Sequence, residues 1–310
     1  MPGRTVNFAD RLAAAVAERE SQVVLGLDPD PARLLPDAVT EASVFEGSPA
    51  ETAALAVTFH CRALIAAAGP ACAAVKVQLA CFERLGATGW AALRDACEAS
   101  RDAGLLVIAD GKRGDVPHTA AVYAQALFGS TPTPFGEVDG LGADAATLNP
   151  LLGRDAVAPL VEAARSRGAG SFVLVRTSNP GAAAIQDEVS GGGEPLRARL
   201  ARLVDALGEG GVGACGLADV GAVVAATEPE LLGELREAMP RAVFLLPGVG
   251  AQGGRAELLG PAFAPGRAAA LIAASRSIVD PALEAGSAGA ARGAAEDLRE
   301  SAWEVSSPRG

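Results

Sequence analysis

The stretch "LLVIADGKRGDV", residues 105 to 116, passes from four apolar residues, Leu105 to Ile108, straight into Asp110, Lys112, Arg113 and Asp115. Four charges within six residues suit a solvated turn, but they equally suit a site built where a buried strand ends. The choice depends on whether other strands end in the same way. Apolar runs of similar length recur at 23 to 28, 73 to 79, 144 to 150, 171 to 178, 212 to 221, 242 to 250 and 268 to 275, making eight candidate strands in all. Helical spacing fills much of what separates them, at 51 to 68, 88 to 103, 153 to 167, 195 to 207 and 228 to 238. Strands that are apolar on both faces and alternate with helices predict a parallel sheet covered on both sides.

Length alone allows two domains or one α/β barrel of about 250 residues with extensions. Eight repeats favour a closed (β/α)₈ TIM barrel over a doubly wound sheet, as one domain over 1 to 310 with an N-terminal helix and extended loops. The polar residues support closure. Asp28, Lys76, Asp110, Asn149, Ser178, Gln252 and Arg276 fall in or just after strand C-terminal ends, where barrel sites assemble. Residues 1 to 22 read as the preceding helix, 37 to 49, 129 to 143 and 179 to 194 as loops, and 304 to 310 as a frayed tail.

Composition narrows the function. Half the residues are hydrophobic but only 4% are aromatic, so the core is built from small aliphatic side chains. A net charge of -11, with no basic stripe, argues against nucleic acid as partner. No uncharged apolar run approaches the roughly 20 residues that span a bilayer. Five cysteines without a C-x-x-C pair suggest neither a disulfide framework nor a zinc ribbon, and read as core residues of a cytoplasmic protein.

"GVGAQG" at 248 to 253 matches the dinucleotide pattern G-x-G-x-x-G, but so does "GEGGVG" at 208 to 213, in a chain with 37 glycines. The first follows the seventh strand, where barrels bind phosphate through backbone N–H groups, so phosphate held with Gln252 and Arg276 is the preferred reading and a plain turn the competing one. His60 reads as a helix-face residue and His118 as a solvent-facing loop residue. Two histidines in different contexts exclude histidine-rich metal sites, and neither a P-loop nor a G-x-S-x-G elbow is present. Along an extended strand Asp110 and Lys112 face the same way, with Lys76 and Asp28 ending neighbouring strands. Two cations and two anions in one mouth form a costly structural network, so function is the better reading. A lysine between carboxylates stays an ammonium, suited to stabilising a carbanion and then protonating it.

These residues carry a family resemblance. "ADGKRGDV" resembles the D-x-K-x-x-D signature of the orotidine 5'-phosphate decarboxylases, and "GLDPDP", "VKVQLACFERLG", "TLNPLLG", "RTSNPGA", "LLPGVGAQGG" and "AASRSI" resemble that family's strand-end segments over roughly residues 20 to 280. Length and loops are similar to the longer bacterial, type 2 branch. The resemblance implies a (β/α)₈ homodimer, free of metal and cofactor, that converts orotidine 5'-phosphate to UMP and CO₂ in the last step of de novo pyrimidine synthesis. It implies Lys112 as proton donor to ring carbon 6, Asp110 beside the departing CO₂, Lys76 in the charged array and Asp115 entering from the partner subunit. It further implies Thr119 and Asp28 on the ribose, Ser178 on the pyrimidine, and Gln252 and Arg276 on the phosphate. Pro117 and His118 depart from the pattern after Asp115, while Asn149 receives no role. Two alternatives stay open: a Mg²⁺-dependent sugar-phosphate decarboxylase or aldolase of the same superfamily, and a catalytically silent nucleotide binder.

Overall fold

In the computed structural model, which describes residues 6–189, 191 and 193–307, the apolar runs pair in parallel and the sheet closes on itself. The barrel strands are β1 Val23–Leu27, β2 Ala74–Gln78, β3 Leu106–Arg113, β6 Ala145–Leu148, β7 Gly170–Arg176, β8 Val220–Val224, β9 Phe244–Pro247 and β10 Ala270–Ala274. A separate antiparallel hairpin, β4 Ser130–Thr133 and β5 Gly136–Asp139, projects between β3 and β6. Each barrel strand pairs with its predecessor in the chain, and β1 closes on β10, so the (β/α)₈ expectation holds.

Closure demands that both sheet faces be buried, and small side chains make this possible. The outer face packs against the helices through residues such as Val75, Val107 and Val173. The helix Pro49–Ala68 belongs to this layer. Residues 49–71 are apolar and long enough to cross a membrane, yet 56% of the apolar window is buried inside the fold, as befits a core helix. A capping box between Ser48 and Glu51 starts it. At the strand N-terminal ends a second core forms, in which the N-terminal helix Phe8–Arg19 plugs the barrel with Phe8, Leu12 and Val16. Phe8 meets Phe172 edge to face at 6.0 Å. Glycine is required at 170 because a Cβ there would lie 2.2 Å from the Phe8 ring.

Several boundaries differ from the sequence reading for physical reasons. The sixth barrel strand begins only at Val220, not at 212. Gly213 and Gly216, the latter at φ +83°, fold residues 212–218 into a turn whose N–H groups at Ala214 and Cys215 bond the Asp10 carboxylate. Cys215 is accordingly exposed, unlike the buried Cys61, Cys72 and Cys97, so it is not the core residue expected. The expected loop 37 to 49 contains the helix Pro36–Ser43, started by proline at its first position, and 129 to 143 is the hairpin. The expected loop 179 to 194 holds a 3₁₀ turn Pro180–Ala182 and a short helix Ala183–Gln186, while residues 190 and 192 lie outside the described residues. Of the helix expected at 1 to 22, Phe8–Arg19 is helical and 1–5 lie outside.

The tail expected to fray at 304 to 310 is instead tied down as far as it is described. The last helix runs Gly289–Val305, buried Ser306 accepts from Gln22 Nε2 at 2.7 Å, and Arg267 stacks 3.7 Å from the Trp303 ring. Residues 308–310 lie outside the described residues.

Candidate active site

Parallel register brings β2 and β3 side by side, with Gln78 opposite Asp110 and Lys76 opposite Ile108. Asp110, only 5% exposed, becomes the hub of the barrel mouth. Its Oδ2 accepts from Lys76 Nζ at 2.7 Å and Gln78 Nε2 at 3.1 Å; its Oδ1 accepts from Lys112 Nζ at 2.7 Å and Thr147 Oγ1 at 2.8 Å. Asp28, just beyond β1, lies 3.5 Å from Lys76 on the other side. The result is an alternating row: Asp28, Lys76, Asp110, Lys112.

Burial by itself would push the Asp110 carboxyl up, but the two ammonium groups outweigh it and hold the group well below the ordinary carboxylate range. Burial likewise opposes the charge on Lys76, and Asp28 and Asp110 overcome it, pushing that ammonium up to about 12. Both groups therefore carry full charge at neutral pH.

Lys112 reaches Asp110 by a route the sequence reading did not foresee. An extended strand was expected to align the two side chains, yet Lys112 has φ +46°, in the left-handed region. The register between β3 and β6 shifts between Ala109 and Arg113, and the Lys112 N–H donates to Thr147 Oγ1 at 2.9 Å. Thr147 thus holds the backbone of Lys112 with one lone pair and the carboxylate of Asp110 with its hydroxyl hydrogen. A non-glycine residue in this conformation costs about 1–2 kcal/mol, a strain found typically at functional positions.

Above the row lies a cavity of about 480 Å³. Leu174, Val223 and Leu245 line its apolar side, and Ser178, Gln252 and Arg276 its polar side. "GVGAQG" folds into a tight loop in which the Gly250 N–H donates to Gly254 O and the Gly254 N–H to Gly248 O. Gly248 has φ +105°, which favours glycine there. Arg276 begins the helix Arg276–Ala285, so its guanidinium and a helix N-terminus share one corner of the mouth.

The structure thus brings together Asp28, Lys76, Asp110, Lys112, Ser178, Gln252 and Arg276. Asp115 and Thr119 stand apart. Asp115 bonds its neighbour Val116 N at 2.8 Å, Thr119 lies on the first turn of the helix Pro117–Phe128, and neither lines the cavity of its own chain. His118 is exposed, though on that helix rather than in a loop. His60 is buried in its helix and accepts from Leu35 N at 3.2 Å; burial pulls its pKa down to about 4. Asn149 accepts from Leu151 N and does not line the cavity.

Gln78, Thr147, Thr177, Asn179 and Gln186 also line the cavity and were not singled out from sequence. Gln78 had a signal, since it lies two residues beyond Lys76 and so on the same face of the strand. Among the described residues no group of three His, Cys, Asp or Glu side chains is placed to hold a metal.

Comparison with known proteins decides the family. The sequence profile described as "Orotidine 5'-phosphate decarboxylase / HUMPS family" matches residues 21–291. The chain belongs to this family. The orotidine 5'-phosphate decarboxylase of Rhodopirellula baltica is 41% identical over 277 residues, 88% of each chain. That of Deinococcus radiodurans is 45% identical over 215 residues, 69% of this chain and 74% of its own. Among solved structures, Leishmania donovani OMP decarboxylase superposes with a TM-score of 0.74 at 29% identity, covering 97% of this chain and 99% of the other. As a member of the orotidine 5'-phosphate decarboxylase family, the chain keeps its charged row and its glycine loop on the same rim of the barrel.

Proposed function

We propose that this protein decarboxylates orotidine 5'-phosphate to UMP and CO₂, the last step of de novo pyrimidine synthesis. The observation that carries the proposal is the charged row Asp28, Lys76, Asp110, Lys112, with Lys76 and Asp110 buried at its centre, below a cavity of nucleotide size. Loss of CO₂ breaks the bond to ring carbon 6 and leaves its electron pair on that carbon, where the ring delocalises it poorly. An ammonium already fixed in place stabilises that charge without reorganisation. Lys112 then transfers a proton from Nζ to carbon 6 and regains one from solvent. Asp110 holds Lys112 by an ion pair and lies beside the departing carboxylate, while Lys76 keeps Asp110 charged.

Remote contacts order the substrate: Asp28 and Thr119 on the ribose, Ser178 on the pyrimidine, Gln252 and Arg276 on the phosphate. The position of Asp115 and Thr119 outside the cavity of their own chain supports a homodimer in which each reaches the neighbouring site. The reaction needs no metal or cofactor in this reading, and the enzyme is cytoplasmic, without nucleic-acid or membrane partners. A Mg²⁺-dependent sugar-phosphate reaction is disfavoured by the donor set, because Asp28 and Asp110 already face an ammonium that would repel the ion. The test follows the fall in orotate-ring absorbance when purified protein meets orotidine 5'-phosphate in buffer with EDTA. Rapid loss is expected; a folded protein that leaves the absorbance unchanged overturns the proposal.

A further inference from the structure

Three polar side chains on the wall of the cavity form a hydrogen-bond relay that the decarboxylation reading does not use. The segment after β7 leaves the barrel at Thr177 and returns at Gln186. The Thr177 backbone N–H donates to Gln186 Oε1 at 2.8 Å, and a backbone N–H can bond only the oxygen of a carboxamide. That fixes Gln186 with its Nε2 toward the Thr177 hydroxyl, to which it donates at 3.0 Å. Thr177 Oγ1, occupied as an acceptor, has one hydrogen left to donate. It lies 2.6 Å from Asn179 Oδ1 and 3.3 Å from Gln186 Oε1, so the shorter contact takes it.

The direction of this relay determines what the cavity sees. With Oδ1 engaged by Thr177, Asn179 turns its Nδ2 away from Thr177, to 3.8 Å from where a Cβ on Gly181 would lie, and among the described residues that amide donates no hydrogen bond, so it is free to swing to a ligand in the cavity that the side chain lines. Asn179 does not use its side chain to cap the turn Pro180–Ala182 that follows it. Its exposed side chain lines the cavity beside Ser178, on the wall that approaches the glycine loop: a Cβ on Gly248 would lie 3.5 Å from both Ser178 Cβ and Gln252 Oε1. Ion pairs tie the neck behind it. Buried Arg176 pairs with Asp187 and Glu228, and Arg197 pairs with Asp187 again.

We infer that Asn179 is a substrate-binding residue whose Nδ2 donates to an acceptor oxygen of the bound nucleotide, and that Gln186 is the positioning residue that aims it through Thr177. The inference rests on the nucleotide reading above and adds to it a polarity: the relay runs from Gln186 to Thr177 to Asn179 and ends in an outward donor.

Gln186→Glu reverses the relay without removing its bulk. A carboxylate only accepts, so it keeps the Thr177 N–H but draws the Thr177 hydroxyl hydrogen to itself, and Asn179 Oδ1 loses its donor. Binding of UMP by calorimetry to the full chain is the measurement, with thermal melts to confirm folding. Asn179→Ala is expected to weaken UMP binding about tenfold or more, the range of a hydrogen bond to a charged group. Gln186→Glu is expected to weaken it similarly, the double variant no further than the single ones, and Thr177→Ser to bind like wild type. Ribose 5-phosphate and inorganic phosphate locate the acceptor: a parallel loss with both assigns it to the phosphate, a loss with ribose 5-phosphate but not inorganic phosphate assigns it to the ribose, and a loss confined to UMP assigns it to the base. Full additivity of the two substitutions, or Asn179→Ala within about twofold of wild type, overturns the relay and leaves the decarboxylase reading standing. Failure of wild type itself to bind UMP takes both down.

Discussion

Replacing Lys112 and Lys76 by alanine should damage this protein in two different ways, although both lysines contact the same carboxylate. The Lys76 side chain is 11% exposed and that of Asp110 7%, so Lys76→Ala leaves the buried Asp110 carboxylate facing Asp28 without the cation between them. Breaking a buried pair from one side costs about 3–5 kcal/mol. The Lys112 side chain is 45% exposed, and after its loss Asp110 keeps Lys76, Gln78 and Thr147, so stability should fall by no more than about 1 kcal/mol. Turnover should behave in the opposite sense. Losing one preorganised electrostatic group costs about 10²–10³ in rate, or ~2.7–4 kcal/mol of barrier, and a proton donor should lose at least that much. Because Lys112 has φ +46°, Lys112→Gly should also be more stable than Lys112→Ala by about 1 kcal/mol while equally inactive. The assay pairs urea melts at fixed protein concentration with absorbance turnover at saturating substrate. Near-normal turnover in Lys112→Ala refutes its role as proton donor, and a stability loss in that variant equal to that of Lys76→Ala refutes the division of labour.

Other perturbations follow from the same structure. Arg276→Ala should lower kcat/KM for orotidine 5'-phosphate by about tenfold or more, as expected for loss of a charged phosphate contact; an unchanged ratio counts against its placement on the phosphate. If Asp115 serves the neighbouring site, mixing inactive Lys112→Ala with inactive Asp115→Ala should recover about a quarter of wild-type activity after subunit exchange, since half the dimers are mixed and each holds one intact site; no recovery despite confirmed exchange removes Asp115 from that role. His60, its pKa pulled from 6.5 to about 4 by burial, binds its proton more readily when unfolded, so stability is full above 6.5 and is lost as pH falls toward 4, by at most about 1.4 kcal/mol per pH unit. His60→Gln should flatten that part of the stability curve, and an unchanged slope excludes His60 as its source. Arg236, buried against four backbone carbonyls and 3.7 Å from the Phe244 ring, should be replaceable neither by alanine nor by lysine without a loss of about 3 kcal/mol in urea melts; wild-type stability of Arg236→Lys refutes the need for its planar fork.

The barrel was legible because parallel strands buried on both faces write continuous apolar runs, and seven of the eight are placed within a few residues. The sixth was displaced because Val212 and Leu217 look like strand residues, while the glycines between them turn the chain toward Asp10. Nothing in "STPTPFGEVD" announces the hairpin: it is exposed, it pairs only with itself, and it carries prolines at 132 and 134. Among the residues that line the cavity, the charged ones stood out in the sequence and those that bond the charges did not. Thr147 looks like any β-branched strand residue, and only the fold shows it bridging Lys112 N and Asp110, 35 and 37 residues away. The same distance hid the left-handed turn at Lys112, which a neighbouring strand imposes. Ser306 read as part of a loose end because its partner, Gln22, lies 284 residues earlier.

That last contact has an architectural consequence. Gln22 immediately precedes β1 and Arg267 precedes β10, so the C-terminal helix is fastened to the same end of the barrel that the N-terminal helix plugs. Asn7 and Ser307 therefore both leave from the floor, while the charged row and the cavity open at the ceiling. A fluorophore carried by a cysteine substituted for Asn7 or Ser307 would report from below the barrel and leave the entrance unshaded, so the fold offers two labelling positions that are mechanically remote from the cavity.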